Sequence, residues 1–173
     1  MDYYDIALQG CGVDKGLESA LGFKKVFLAG RDVALTGKKG NFSGAIATGS
    51  DKPVLEEAAR SGARALIIEG MRTDRSLIDI MAKRNTVLCI PMSAITSKEG
   101  MERSRAIFMA RGLFSSARRR RLHVGFVSLA GSREGLCSAM QLIEFAKLVG
   151  ADEQYAAYSI SEVNRAIANG DED

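Results

Sequence analysis

The chain reads as a single α/β domain in which parallel strands alternate with helices. Short apolar runs of strand length recur along it, several of them apolar at every position, as strands covered on both faces must be. Amphipathic stretches with helix-start and helix-stop residues separate these runs, which implies right-handed crossovers and a parallel sheet. No proline- or serine-rich linker interrupts residues 1–170, so one domain is expected, with residues 171–173 as a frayed acidic tail.

The strand candidates in order are YDIAL (4–8), KKVFLAG (24–30), GAIATG (44–49), ALIIEG (65–70), TVLCIP (86–91) and LHVGFVSLA (122–130). DVALTG and QYAAYSI are weaker candidates for further strands. Between them, SDKPVLEEAARSG has Ser50 or Asp51 as cap, Pro53 in the first turn and Gly62 as a stop. TDRSLIDIMAKRN groups Leu77, Ile78 and Met81 on one face and puts Lys83 and Arg84 at the negative helix end. SKEGMERSRAIFMARGLF has Ser97 as cap and a stripe through Ile107, Ala110 and Phe114. REGLCSAMQLIEFAKLVG turns Leu136, Met140, Ile143 and Ala146 inward before Gly150, and SEVNRAIAN is the last helix. Five strands suit a doubly wound sheet and seven suit a barrel. A full eight-fold barrel needs roughly 200 residues or more, so periodicity leaves both architectures open.

Mean hydropathy is −0.02, and no apolar run reaches the length of a membrane span. No charged-then-apolar leader precedes a small-residue cleavage site, and a cytoplasmic protein without membrane contact is expected. Cys11, Cys89 and Cys137 lack the close spacing of a zinc site; Cys89 and Cys137 read as small buried apolar residues. The net charge of +3 conceals a polarised chain: residues 98–121 carry eight basic side chains against two acidic, and residues 134–173 carry eight acidic against two basic. Such polarity suits an oriented encounter with a polyanion, or segregated solvated helix faces.

Catalytic signatures are weak. The single histidine, His123, cannot build the cluster a zinc or two-metal hydrolase gathers. Asp5 and Glu69, at strand ends, are the one plausible acid/base pair, with Asp32 a third strand-end carboxylate. No G-x-S-x-G turn is present. Among phosphate cradles, GCGVDKG lacks the third glycine at its place, and GKKGNFSG lacks the hydroxyl residue after lysine that a P-loop needs. AGSREG (130–135) is better placed, between the longest strand and a helix; a helix N-terminus there would aim N–H groups at an anion, and Arg133 would add a charge-assisted contact. A simple capped turn explains it equally well.

The order of GAIATGSDKPVLEEAARSGARALIIEG, IDIMAKRNTVLCIPMSAI, RSRAIFMARGLF, RRRLHVGFVSLAGSREG and QLIEFAKLVGADEQYAAYSISEVNRAI resembles protein component 3 of archaeal ribonuclease P, related to the 30-kDa subunit of the eukaryotic enzyme. A basic helix, then RR entering a strand, then an S/A-rich loop with an arginine carries most of this resemblance. It implies a TIM-like barrel that is non-catalytic by itself, a subunit of the endoribonuclease that removes the 5′ leader from precursor tRNA. The implied partners are ribonuclease P RNA, protein component 2 and other protein subunits, and precursor tRNA indirectly. This chain itself would bind no cofactor, while the RNA of the holoenzyme would need Mg²⁺. The stretch from Gly10 to Phe42 is shorter than the family's, so the barrel should be shortened in its N-terminal half. The chain also ends in GDED where the family would end basic.

In that setting Arg72, Arg75, Arg84, Arg118, Arg119, Arg120, Arg121 and Arg133 are the expected RNA-backbone contacts, Arg72 and Arg133 matching arginines of the family's loops. A helix dipole accounts for one or two of the four consecutive arginines, and phosphate contacts for the surplus. No aromatic residue is interleaved with them, so base stacking is not expected. Ile107, Phe108 and Phe114 are the expected partner-protein contacts, since at 100° per residue they cannot all face one core. Two other functions remain open from sequence: a metal-dependent phosphoesterase on a related barrel using Asp5, Glu69 and His123, and an enzyme binding a phosphorylated substrate at AGSREG.

Overall fold

The structure, a computed structural model, describes residues 1–37 and 42–169. β1 (Tyr4–Leu8) and β2 (Lys25–Ala29) pair in parallel, and β3 (Leu35–Thr36), β4 (Ile46–Gly49), β5 (Ala65–Ile68), β6 (Val87–Pro91) and β7 (Val124–Val127) form a five-stranded parallel sheet in that order. Two joins turn these sheets into a ring. Val33 bridges Ala29 beside β3. Beyond β7, the Leu129 N–H donates to the Ile6 carbonyl and the Leu8 N–H donates to the Ala130 carbonyl, both at 2.9 Å.

The strands are apolar throughout because both faces are covered. Ile6, Ile46, Ala65, Ile67, Cys89 and Val127 point into the ring. Ala47, Leu66, Ile68, Leu88, Ile90 and Phe126 pack under the surrounding helices. Those helices are α1 (Lys15–Ala20), α2 (Lys52–Arg60), α3 (Arg75–Lys83), α4 (Ser93–Thr96), α5 (Gly100–Arg119) and α6 (Ala139–Val149). Their starts follow capping chemistry: Asp14 and Asp74 accept the Leu17 and Leu77 N–H groups, and Ser138 forms a reciprocal capping box with Gln141. Gly150, at φ 116°, ends α6.

The barrel is shortened where the sequence suggested. Among the described residues α1 is the one α-helix before β4. Between β2 and β3 the chain turns back tightly, and the Asp32 carboxylate accepts the Leu28 N–H in place of a crossover. Half of GKKGNFSG, residues 38–41, and the acidic tail lie outside the described residues.

QYAAYSI, a weak strand candidate, is helical. α7 (Glu153–Tyr158) runs through a π turn at Ser159–Val163 into α8 (Asn164–Asn169). This helix sits where β1 and β7 lack a common strand partner. The Tyr155 hydroxyl accepts the Val124 N–H at 2.9 Å, and Ser159 Oγ accepts from the Phe126 N–H at 3.2 Å and donates to the Val124 carbonyl at 2.7 Å. Asn164 Nδ2 then donates to both the Phe126 and Tyr4 carbonyls, at 2.7 and 3.0 Å. Tyr155 and Ser159 share a face at helical spacing; Asn164, five residues on, joins them because the wider π turn absorbs the extra residue.

Val163, Ile167 and Ala168 fill the ring interior from this side. The ring admits them at Gly125, where a Cβ would lie 2.9 Å from both Asn164 Oδ1 and Ile167 Cδ1. Ser159→Ala and Asn164→Ala would each leave buried backbone groups unpaired. Each is expected to cost about 1–3 kcal/mol, read as a lower urea midpoint with unchanged slope. Unchanged midpoints would show that the helix does not close the seam.

Candidate nucleic-acid interface

α5 carries most of the positive charge, and its 20 residues divide into stripes. Ala106, Ala110, Leu113, Phe114 and Ala117 are buried against the barrel. Arg103 and Ile107 face α6, and Met101 and Phe108 stand out into solvent. The C-terminus closes with the Leu122 N–H on the Ala117 carbonyl and the Arg121 N–H on the Arg118 carbonyl, a Schellman arrangement. Arg121 occupies the left-handed position at φ 57°, where glycine is the usual residue.

The eight arginines named from sequence do not form one patch. Arg120 is ion-paired with Asp79 of α3. The Arg118 guanidinium lies 4.0 Å over the Tyr155 ring. Arg72, Arg75, Arg84, Arg119, Arg121 and Arg133 have no ion-pair partner among the described residues. Arg72 and Arg133 follow β5 and β7 at the carboxyl ends of the strands, whereas Arg84 and Arg121 precede β6 and β7 at the opposite end. Arg75 and Arg119 are brought together, lining one cleft between α3 and α5 with Thr73 and Ser116. Lys98 and Arg105, which no sequence reading singled out, line a second cleft with Arg72.

AGSREG does not open a helix. Residues 133–135 make a short 3₁₀ turn, and α6 begins only at Ala139, so no helix N-terminus points at Arg133. The loop is instead tied to the first one: Cys11 Sγ donates to the Ala130 carbonyl at 2.8 Å, and a Cβ at Gly10 would lie 3.3 Å from the Gly131 carbonyl oxygen. Cys89 and Cys137 are buried, and burial pushes each thiol up to about 12.

The carboxylates and histidine of the hydrolase reading do not converge. His123 is exposed just before β7, and Glu69 is exposed just after β5, at the other end of the ring; the Thr48 hydroxyl lies 3.4 Å from Glu69 Oε1. Asp32 is engaged by Arg31 and the Leu28 N–H. Asp5 is fully buried in the seam, its Oδ1 accepting the Ser128 and Ile6 N–H groups at 2.7 Å while Oδ2 has no partner. Burial pushes its carboxyl up to about 6, against the opposing pull of hydrogen bonds from Ser128 and Ile6. Among the described residues, no group of three or more His, Cys, Asp and Glu is placed to hold a metal ion.

Compared with solved structures, the chain is similar to one in the cryo-EM structure of archaeal ribonuclease P with mature tRNA. The TM-score is 0.72 at 13% identity, over 96% of this chain and 80% of that one. It is less similar to Aspergillus niger ochratoxinase, with TM-score 0.52 and 14% identity over 72% of this chain and 30% of that one. An uncharacterized protein matches with TM-score 0.53 and 16% identity over 72% of this chain and 33% of that one. No family model matches the sequence, and no curated protein does. At these identities the likeness shows the fold, a TIM-like α/β barrel of parallel strands and helices. No helix among the described residues is long and apolar enough to cross a membrane.

Of the expected partner contacts, Phe114 is corrected. It is 7% exposed and packs against Phe126 and Tyr155, with ring centroids 5.7 and 5.8 Å away. Phe108, one helical step off that face, is 75% exposed. Ile107 is half-buried and lines an apolar groove between α5 and α6 with Met92, Ile95, Phe145 and Leu148. Met140, expected inward, is 63% exposed on the rim of the same groove. Phe114→Ala is therefore expected to cost about 3–5 kcal/mol in urea unfolding, and Phe108→Glu to leave the midpoint nearly unchanged.

Asp5 generates a pH prediction. Between about pH 4 and 6 the folded chain holds a proton that the unfolded chain releases, so this residue makes stability fall as pH rises through that window and stay level above it. The loss approaches about 3 kcal/mol. Asp74, held low at about 2 by the Leu77 N–H, Lys52 and Ser76, acts in the opposite sense below that window. The difference between wild type and Asp5→Asn isolates the Asp5 part: urea midpoints measured from pH 4 to 7 should diverge in favour of the variant as pH rises. Parallel midpoints would mean that Asp5 ionises in the fold as it does in the unfolded chain.

Proposed function

We propose that this chain is a protein subunit of ribonuclease P, cytoplasmic and non-catalytic by itself. It supports RNA-catalysed removal of the 5′ leader from precursor tRNA by binding the backbone of the catalytic RNA and a partner subunit, protein component 2. The observation that carries the reading is the barrel match, spanning 96% of this chain, to a chain found in archaeal ribonuclease P with mature tRNA. Unpaired arginines around α5 and the dispersal of Asp5, Glu69 and His123 support it. Mg²⁺ would belong to the RNA of the holoenzyme. On the protein side, the partner contacts are Ile107, in the apolar groove between α5 and α6, and the exposed Phe108 beside it.

Pure chain mixed with ribonuclease P RNA and component 2 should raise leader cleavage of precursor tRNA above the mixture lacking it. Alone, with Mg²⁺, Mn²⁺ or Zn²⁺, it should hydrolyse neither RNA nor phosphate esters; turnover abolished by Glu69→Gln would identify a phosphoesterase instead. Phe108→Glu should weaken capture by component 2 while RNA binding persists. Capture unaffected by Phe108→Glu would move the partner contact elsewhere.

A further inference from the structure

Two clefts open between α5 and the segment leading from β5 into α3. The upper is lined by Gly70, Met71, Arg72, Lys98, Arg105 and Met109 among others, the lower by Thr73, Arg75, Ile78, Ser116, Arg119 and Arg120. On α5 the lining positions are Glu102, Arg105, Ala106, Met109, Ser116 and Arg119. Gly112 falls between them, and a Cβ there would lie 3.9 Å from Thr73 Oγ1. Steps of three and four residues place all of these on one stripe of the helix. The clefts are therefore two stretches of one groove, with its waist at Gly112 and Thr73.

Charge along the groove is one-sided. Lys98, Arg72, Arg105, Arg75 and Arg119 have no ion-pair partner among the described residues, and Glu102 is the one unpaired carboxylate of the lining. Asp79, beside the lower cleft, is taken by Arg120. Asp74, next to Arg75, is taken by Lys52 at 2.9 Å and by the Leu77 N–H at 3.0 Å. Five cations are thus strung along a helix about 30 Å long, between methionine and alanine side chains that focus their field. A polyanion with regularly spaced charges relieves that repulsion, and the Thr73 and Ser116 hydroxyls add phosphate donors where the groove narrows.

We propose that this groove holds a stretch of RNA backbone, bound through phosphates irrespective of sequence: Lys98, Arg72 and Arg105 above the waist, Arg75 and Arg119 below it. The proposal rests on the reading that the chain binds RNA, and it chooses among the arginines. Arg84, Arg121 and Arg133 lie off the groove, Arg118 is committed to Tyr155, and Arg120 positions the wall through Asp79.

The test measures binding of the full chain to a precursor tRNA transcript and to an unrelated structured RNA across salt concentrations. Replacing Arg72, Arg105 and Arg119 together by alanine should reduce the slope of log K against log[salt] by about 2 to 3 on both RNAs, since each phosphate contact contributes about 0.7 to 0.9. Replacing Arg84, Arg121 and Arg133 together should leave the slope unchanged. Gly112→Leu, which fills the waist without altering a charge, should also weaken binding. Urea midpoints of the arginine variants should match wild type, and that of Gly112→Leu should not fall below it, leucine being the better helix former. If the two triple variants lose slope equally, the groove is wrong although the chain binds RNA. Loss of component 2 capture with an unchanged RNA slope would give the groove to an acidic protein segment and overturn the proposal. Wild-type chain that binds neither RNA would overturn the functional reading itself.

Discussion

Along one half of the seam between β1 and β7 the two strands have no strand between them, and their edge groups are paired by side chains of a single helix. An eight-stranded barrel removes such edges by closure; here the seven strands of the described residues meet across this seam by backbone hydrogen bonds where Ile6 and Leu8 face Leu129 and Ala130. Below that point Tyr155, Ser159 and Asn164 take the place of a strand, meeting backbone groups that would otherwise be buried unpaired. Much else depends on this. Gly125 must lack a side chain because the helix approaches there, and the π turn must be present because Ser159 and Asn164 are five residues apart. Asp5 is sealed inside because the closed upper half of the seam brings Ser128 onto it.

With the last helix spent on closure and the ring interior filled by Val163, Ile167 and Ala168, the recognition proposed for this chain falls to the outside of the barrel. α5 serves it by separating tasks around its circumference. One stripe belongs to the core, one forms the apolar groove against α6, one lines the basic groove against α3, and Met101 and Phe108 face solvent. A helix can hold these apart with no inserted loop because residues one apart diverge by 100° while residues three or four apart align. The RNA contact and the protein contact proposed for this helix therefore need not compete for the same side chains.

The strands were legible because a strand covered on both faces needs apolar residues at every position, and the runs around Leu66 and Ile90 show that. The start of α2 at Asp51, with Pro53 in its first turn, was equally plain, whereas α5 begins after Glu99 and not at the expected Ser97 cap, and α6 begins later than AGSREG suggested. The last helix was not legible as a strand substitute. Its working residues, Tyr155, Ser159 and Asn164, follow no fixed period, and their partners on β7 lie some 31 to 38 residues away. For the same reason the sequence overreached on Phe114: the spacing argument isolates one outlier among Ile107, Phe108 and Phe114, and the outlier is Phe108. Lys98 and Arg105 sit in no run of basic residues, although Arg105, Met109, Gly112, Ser116 and Arg119 are spaced as one helical stripe.

That stripe also answers what four consecutive arginines do. Adjacent residues at the end of a helix point in different directions, so a run that is dense in sequence is dispersed in space. Arg118 turns to Tyr155, Arg119 to the groove, Arg120 to Asp79, and Arg121 leaves the helix in a left-handed conformation. A surface able to follow a phosphate backbone requires the reverse pattern, cations three, four or seven apart on one helix opposed by cations from a second element. Arg105 and Arg119 on α5, facing Arg72 and Arg75 on the β5–α3 segment, meet that requirement; the arginine run contributes a single member to it.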